Sequence, residues 1–160
     1  MKTKYSRISL MIMGLSLLSA IFFLLVPTVY IVQQNKAVMG YTTVFGGHCW
    51  NFSSTNSTVY FHPSAGGIVT FCLSLASLIV IALFGKGNKS PYFFSFCFNV
   101  AVFVLCFFQA TFFVGVNHDI YRLNVTYSIN FVGAYLVMVT SFLGGVISLV
   151  GLCRKPDKRY

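Results

Sequence analysis

Four polar side chains, Ser95, Asn99, Cys106 and Gln109, recur along the otherwise apolar run 92–116. At 100° per residue they fall within a helical arc of about 80°, together with Val102 and Phe113. An unpaired amide in hydrocarbon costs several kcal/mol, so this arc should face other helices rather than lipid. Its chemistry is then either hydrogen bonding to neighbouring hydroxyls and carbonyls, or a polar path or ligand pocket along the helix.

A second group lies in "GGHCWNFSSTNST", residues 46–58, where His48, Cys49 and Trp50 stand side by side. A thiol- or metal-dependent membrane enzyme would draw on His48, Cys49 and His118. A structural zinc site wants three or four converging ligands, usually at local spacings such as C-x2-C or H-x3-H. His48, Cys49, His62, His118 and Asp119 offer no such spacing, and adjacent residues 48 and 49 point to opposite sides of an extended chain. The five cysteines, Cys49, Cys72, Cys97, Cys106 and Cys153, include no C-x-x-C pair. Cys49 is the one thiol in an outward loop, with a free thiol, a bridge to Cys72 and a bridge between two chains as its alternatives. G-x-S-x-G, H-E-x-x-H and phosphate-loop motifs are lacking, so no catalytic, metal or cofactor residue is assigned.

The elements that carry these residues are set by composition. With 57% hydrophobic and 8% charged residues and a mean hydropathy of +0.80, the chain reads as a membrane protein. A span needs about 20 mainly apolar residues. Residues 8–32, 66–84, 92–116 and 128–152 qualify, and none of them contains Asp, Glu, Lys, Arg or His. That absence argues against a proton relay, an ion-coupled transporter and a voltage sensor. Short connectors make residues 1–160 a single domain. The first span is too long for a secretory h-region and lacks an A-x-A site, so it reads as an uncleaved anchor.

Orientation follows from Lys and Arg, which accumulate on cytoplasmic segments. Lys2, Lys4 and Arg7 precede the first span, Lys86 and Lys89 lie between the second and third, and Arg154, Lys155, Lys158 and Arg159 follow the fourth. Lys36 and Arg122 alone fall on the other side. Both termini are therefore expected in the cytoplasm of a multi-pass cell-membrane protein, with loops 33–65 and 117–127 outward. The +9 charge is this topological signal, attractive to anionic headgroups at roughly 1 kcal/mol per basic residue, and no nucleic-acid partner is expected.

The first outward loop carries Val, Thr, Tyr and Phe between Gly, Asn, Ser and Pro, which predicts a small β-hairpin with strands at about 37–45 and 58–61 and residues 46–58 at the turn. Gly46 and Gly47 would supply that turn, and Trp50 an interfacial anchor. The other outward loop only closes the bundle. Asn51, Asn56 and Asn124 open outward Asn-x-Ser/Thr triplets, but Asn88 opens the same triplet on the cytoplasmic side, which weakens a glycosylation reading. Small and hydroxyl residues mark helix seams: Gly66, Thr70, Ser74 and Ser77; Thr140, Ser141, Gly144, Gly145 and Ser148; and Ser9, Ser16 and Ala20.

This layout of four spans, a larger first outward loop with strand character and the tight inner turn "GKGNKSP" resembles that of claudins along the whole chain. "GHCWNF" offers one Trp and one Cys where that family has Trp, Gly-Leu-Trp and two cysteines. A nearer likeness is to small bacterial four-span proteins in which a proline near the end of the first span ("FFLLVP") leads into a Gly-containing strand ("VMGYTTVFGG"). The likeness implies fold and membrane location and lends no activity.

The sequence thus predicts an all-α four-transmembrane-helix bundle with an extracytoplasmic hairpin. Its expected role is that of a non-enzymatic accessory, scaffold or envelope-associated protein. Its expected partners are the lipid bilayer and either copies of itself or another membrane protein. The alternatives are a channel or transporter subunit with its path along Ser95, Asn99, Cys106 and Gln109, and a thiol- or metal-dependent membrane enzyme.

Overall fold

The computed structural model describes residues 6–26, 29–33, 36–41, 49–52, 57–60, 63–85, 88–109, 111, 125–129 and 131–153. In chain order these form α1 (Arg7–Leu25), β1 (Val29–Gln33), β2 (Lys36–Tyr41), β3 (Cys49–Phe52), β4 (Ser57–Tyr60), α2 (Ala65–Phe84), α3 (Ser90–Cys106), β5 (Val125–Ile129) and α4 (Phe131–Cys153). Three helices are long and apolar enough to cross a membrane: α1, α2 and residues Gly133–Cys153 of α4. α3 is shorter, at 17 residues.

Helix ends follow local chemistry. Ser6 caps α1, its side chain accepting from the amide of Ser9, and Ser64 caps α2 by accepting from Gly67. Pro91 sits in the first turn of α3, where its missing N–H costs nothing. α1 stops at Leu25 rather than running to residue 32. Val26 is extended, at φ −99° and ψ 126°, the conformation imposed on a residue that precedes proline. The apolar residues beyond Pro27 enter β1 instead.

The helices pack as a ring, α1 on α2, α2 on α3, α3 on α4 and α4 on α1. Its inside and outside are inverted relative to a protein folded in water. Among the described residues, thirteen buried side chains are polar and nine are apolar, while Leu25, Phe84, Phe93, Phe142 and Val150 are among the large apolar side chains half or more exposed. Burial of Ser, Thr, Asn and Gln beneath a Phe- and Leu-covered exterior is the arrangement expected of helices whose seams use small and hydroxyl residues.

Among the described residues the expected hairpin of 37–45 with 58–61 is not formed. Residues 36–41 pair with β1, and residues 57–60 pair with β3, both antiparallel. Both of these strands pair with a sequence neighbour, which minimises loop closure. Residues 49–52, expected at the turn, are themselves a strand. The last span also starts later than residue 128, because 125–129 is β5, paired antiparallel with β1 from Val29–Ile129 to Gln33–Val125. β1 leaves α1 and β5 enters α4, so the strand pair prolongs the contact of two helices that are already neighbours. The strand order is β2-β1-β5, with β3-β4 separate.

Candidate functional site

The groups able to do chemistry lie inside the bundle and are tied into transverse rungs. At the end where α1 and α3 begin, the Tyr92 hydroxyl is 2.8 Å from Ser9 Oγ, 3.3 Å from Ser6 Oγ and 3.5 Å from the Gly85 carbonyl that closes α2. The Ser9 hydroxyl also donates to Gly85 O at 3.4 Å. One phenol thus joins α1, α2 and α3. A Cβ on Gly151 of α4 would stand 2.6 Å from the Tyr92 ring, so glycine there admits the ring against the fourth helix.

The next rung joins all four helices. Ser16 Oγ lies 2.9 Å from Ser77 Oγ, which lies 2.8 Å from Ser95 Oγ, which lies 3.1 Å from Ser148 Oγ. Proton counting orients this chain. The Ser148 hydroxyl donates to the Gly144 carbonyl at 2.7 Å, and a hydroxyl has one proton to give. Ser148 therefore accepts from Ser95, Ser95 from Ser77, and Ser77 from Ser16. Asn99 Nδ2 donates to Ser77 Oγ and to the Ser95 carbonyl, both at 2.8 Å, with Ser95 Oγ at 3.3 Å. Ser77 Oγ then has both lone pairs and its proton engaged, which makes it the hub.

Asn99 reaches this position because residue 144 is glycine. A Cβ there would stand 2.8 Å from Asn99 Oδ1 and 3.1 Å from Cγ. The requirement is for close approach, since α3 and α4 could not otherwise accommodate an amide between them.

A third rung joins three helices through Ser19 Oγ, 3.4 Å from Ser74 Oγ and 3.0 Å from Ser141 Oγ. Beyond it the interior becomes apolar: Phe23, Val102, Cys106, Ala134, Val137 and Met138 form one buried cluster. Past that cluster Gln109 Nε2 donates to Thr70 Oγ1 at 3.0 Å and to the Leu105 carbonyl at 3.1 Å, and Thr70 donates to Gly66 O at 2.7 Å.

Ser95, Asn99, Cys106 and Gln109 are all at most 2% exposed. The structure brings Ser95 and Asn99 into one rung, puts Cys106 in the apolar cluster and leaves Gln109 apart on the α2 side. Measured from the Tyr92 end, the four hydroxyls of the second rung lie at depths of about 8 to 14 Å, so the chain runs across the bundle more than along it. Ser19 and Tyr92 are the site residues the sequence reading missed. Ser19 is about 60° from Ser16 around α1, which lets it reach Ser141 of α4 as well as Ser74 of α2. A tyrosine near a span end reads as an interfacial anchor, which hides its bonding role.

Cys72 is a free, exposed thiol, so the Cys49–Cys72 disulfide is not formed. Its place on the outer face of α2 turns it away from any interior partner. Cys97 and Cys153 are likewise free and exposed. Among the described residues no three His, Cys, Asp or Glu gather as a metal site. His48, His62, His118, Asp119, Asn56 and Asn124 lie outside the described residues, as do the side chains of Cys49, Trp50 and Asn51.

Comparison with known proteins gives no match, whether to a family model, to a curated protein or to a solved structure.

Proposed function

We propose that the chain is a non-enzymatic integral membrane protein, an accessory or scaffold component of the cell envelope. Its four-helix domain crosses the bilayer with both termini in the cytoplasm and presents the strand segments outside. The observation that carries this reading is the inversion of the bundle. Hydroxyls and amides are consumed in helix-to-helix rungs inside, while Leu, Ile, Val and Phe cover the outside, where a partner helix or lipid would meet them. The excess of Lys and Arg at the Tyr92 end supports the orientation.

The rungs also support packing over conduction, because their hydrogen bonds run from helix to helix and the apolar cluster around Cys106 separates them from Gln109. Asn99→Leu and Gln109→Leu test this directly in reconstituted protein. On the packing reading, melting temperature falls while solute and ion flux across the vesicle stays at background. A basal flux that disappears in a folded Asn99→Leu protein would establish the channel reading instead. Metal- or thiol-dependent turnover by the purified chain would overturn the non-enzymatic assignment.

A further inference from the structure

All four helix ends at the Tyr92 end are held within reach of that one side chain: Ser9 of α1, Gly85 closing α2, Tyr92 itself on α3 and Gly151 of α4. Arg7 and Lys89 are exposed there. The chain attaches Lys2 and Lys4 just before α1, Lys86 in the α2–α3 turn, and four more basic residues in the segment after Cys153. Along the sequence, nine of the 11 Lys and Arg precede or open α1, fall between α2 and α3, or follow α4, and Asp157 is the one acid in those stretches. Among the described residues there is no Asp or Glu, so Arg7 and Lys89 have no carboxylate partner there and can take their counter-charge from outside the chain.

What surrounds that charge identifies its partner. Leu10, Met11, Phe93 and Phe94, within a turn of the exposed basic residues, are about half exposed, and Leu83 and Phe84 more so. A nucleic acid or an acidic protein would meet the charge and leave this apolar rim in water. A phospholipid meets both, with phosphate against the basic residues and acyl chains against the rim.

We infer that the Tyr92 end is a binding surface for anionic phospholipid, and that it gathers such lipids around the bundle in preference to zwitterionic ones. This rests on the membrane reading above. The full chain, reconstituted in phosphatidylcholine vesicles containing increasing fractions of phosphatidylglycerol, tests it by melting temperature. The melting temperature should rise and saturate with phosphatidylglycerol, and high salt should suppress the rise. Arg7→Gln and Lys89→Gln remove exposed side chains that lie outside the rungs, and each should raise the half-saturating fraction about fivefold. Identical melting in both lipids, a double variant that titrates like the unaltered chain, or equal stabilisation by soluble duplex DNA in detergent would each overturn the lipid preference. A chain that alkaline carbonate strips from pure phosphatidylcholine vesicles would instead overturn the membrane reading, and this inference with it.

Discussion

The two halves of the bundle interior are built on different physics. In the half nearer Tyr92, contact between helices runs through directional bonds: Tyr92 to Ser9, then Ser16, Ser77, Ser95 and Ser148, then Ser19 with Ser74 and Ser141. In the half nearer the strands it runs mainly through shape, with Phe23, Val102, Val137 and Met138 in one cluster and Phe103 of α3 against Phe142 of α4 at a ring separation of 6.0 Å, and the Gln109–Thr70 bond lies beyond that cluster. Interhelical hydrogen bonds in membranes average about 0.6 kcal/mol, whereas a buried aromatic side chain truncated to alanine costs about 3 to 5 kcal/mol in a well-packed core. The polar half should therefore fix which helix faces which, and at what height, while the apolar half supplies more of the stability.

Phe23→Ala should break the comparison most severely. Phe23 is fully buried in the cluster, and its loss should cost about 3 kcal/mol or more, read as a lowered denaturation midpoint in detergent. A smaller loss than that of any serine variant would invert the assignment of stability to the apolar half. Gly144→Ala comes next, at about 1 to 3 kcal/mol, because the new methyl meets the Asn99 amide at 2.8 Å. Combining it with Asn99→Ala should recover most of that cost, since the obstructed amide is then absent. Non-recovery would show that the glycine serves backbone contact rather than the amide.

Ser77→Ala removes the hub and leaves Asn99 Nδ2 and the hydroxyls of Ser16 and Ser95 each short of a partner. Its expected cost is about 1 to 2 kcal/mol, more than an average interhelical bond because three bonds go at once. Loss of register should accompany it. Cysteine pairs placed across the α1–α2 seam should cross-link at several heights in Ser77→Ala, at one height in the unaltered chain, and at one height in Phe23→Ala below its midpoint.

Much of the polar half was legible in the sequence, because Ser74 and Ser77, and Ser141, Gly144 and Ser148, stand at helical spacing among apolar residues. The 3.6-residue period places them on one face. Which hydroxyl meets which was not legible, since that depends on the rotation and height of each helix and on the closeness that Gly144 and Gly151 allow. The strand segments were read less well for a different reason. "VYIVQ" continues the hydrophobicity of α1 without a break, and apolar run length alone does not separate a helix end from a strand; only Pro27 marks the boundary. "VTYSI" has the alternating β-branched and aromatic pattern of a strand, but hydropathy drew its last two residues into the following span.

The smallest effect sharpens the comparison from the other side. Thr140 is buried like Ser141 beside it, yet its hydroxyl donates only to carbonyls of its own helix, Leu136 O at 2.8 Å and Val137 O at 3.0 Å. Those carbonyls already accept helical amide bonds, so Thr140→Val strands no partner and keeps the side-chain volume. It should change stability by less than about 0.5 kcal/mol. Ser141→Ala, one residue on, breaks a bond between α4 and α1, and should cost about 0.6 kcal/mol or more. If burial of a hydroxyl were itself what stabilised the bundle, the two variants would be equal. Only if bonding between helices is what counts does the difference between neighbouring residues appear.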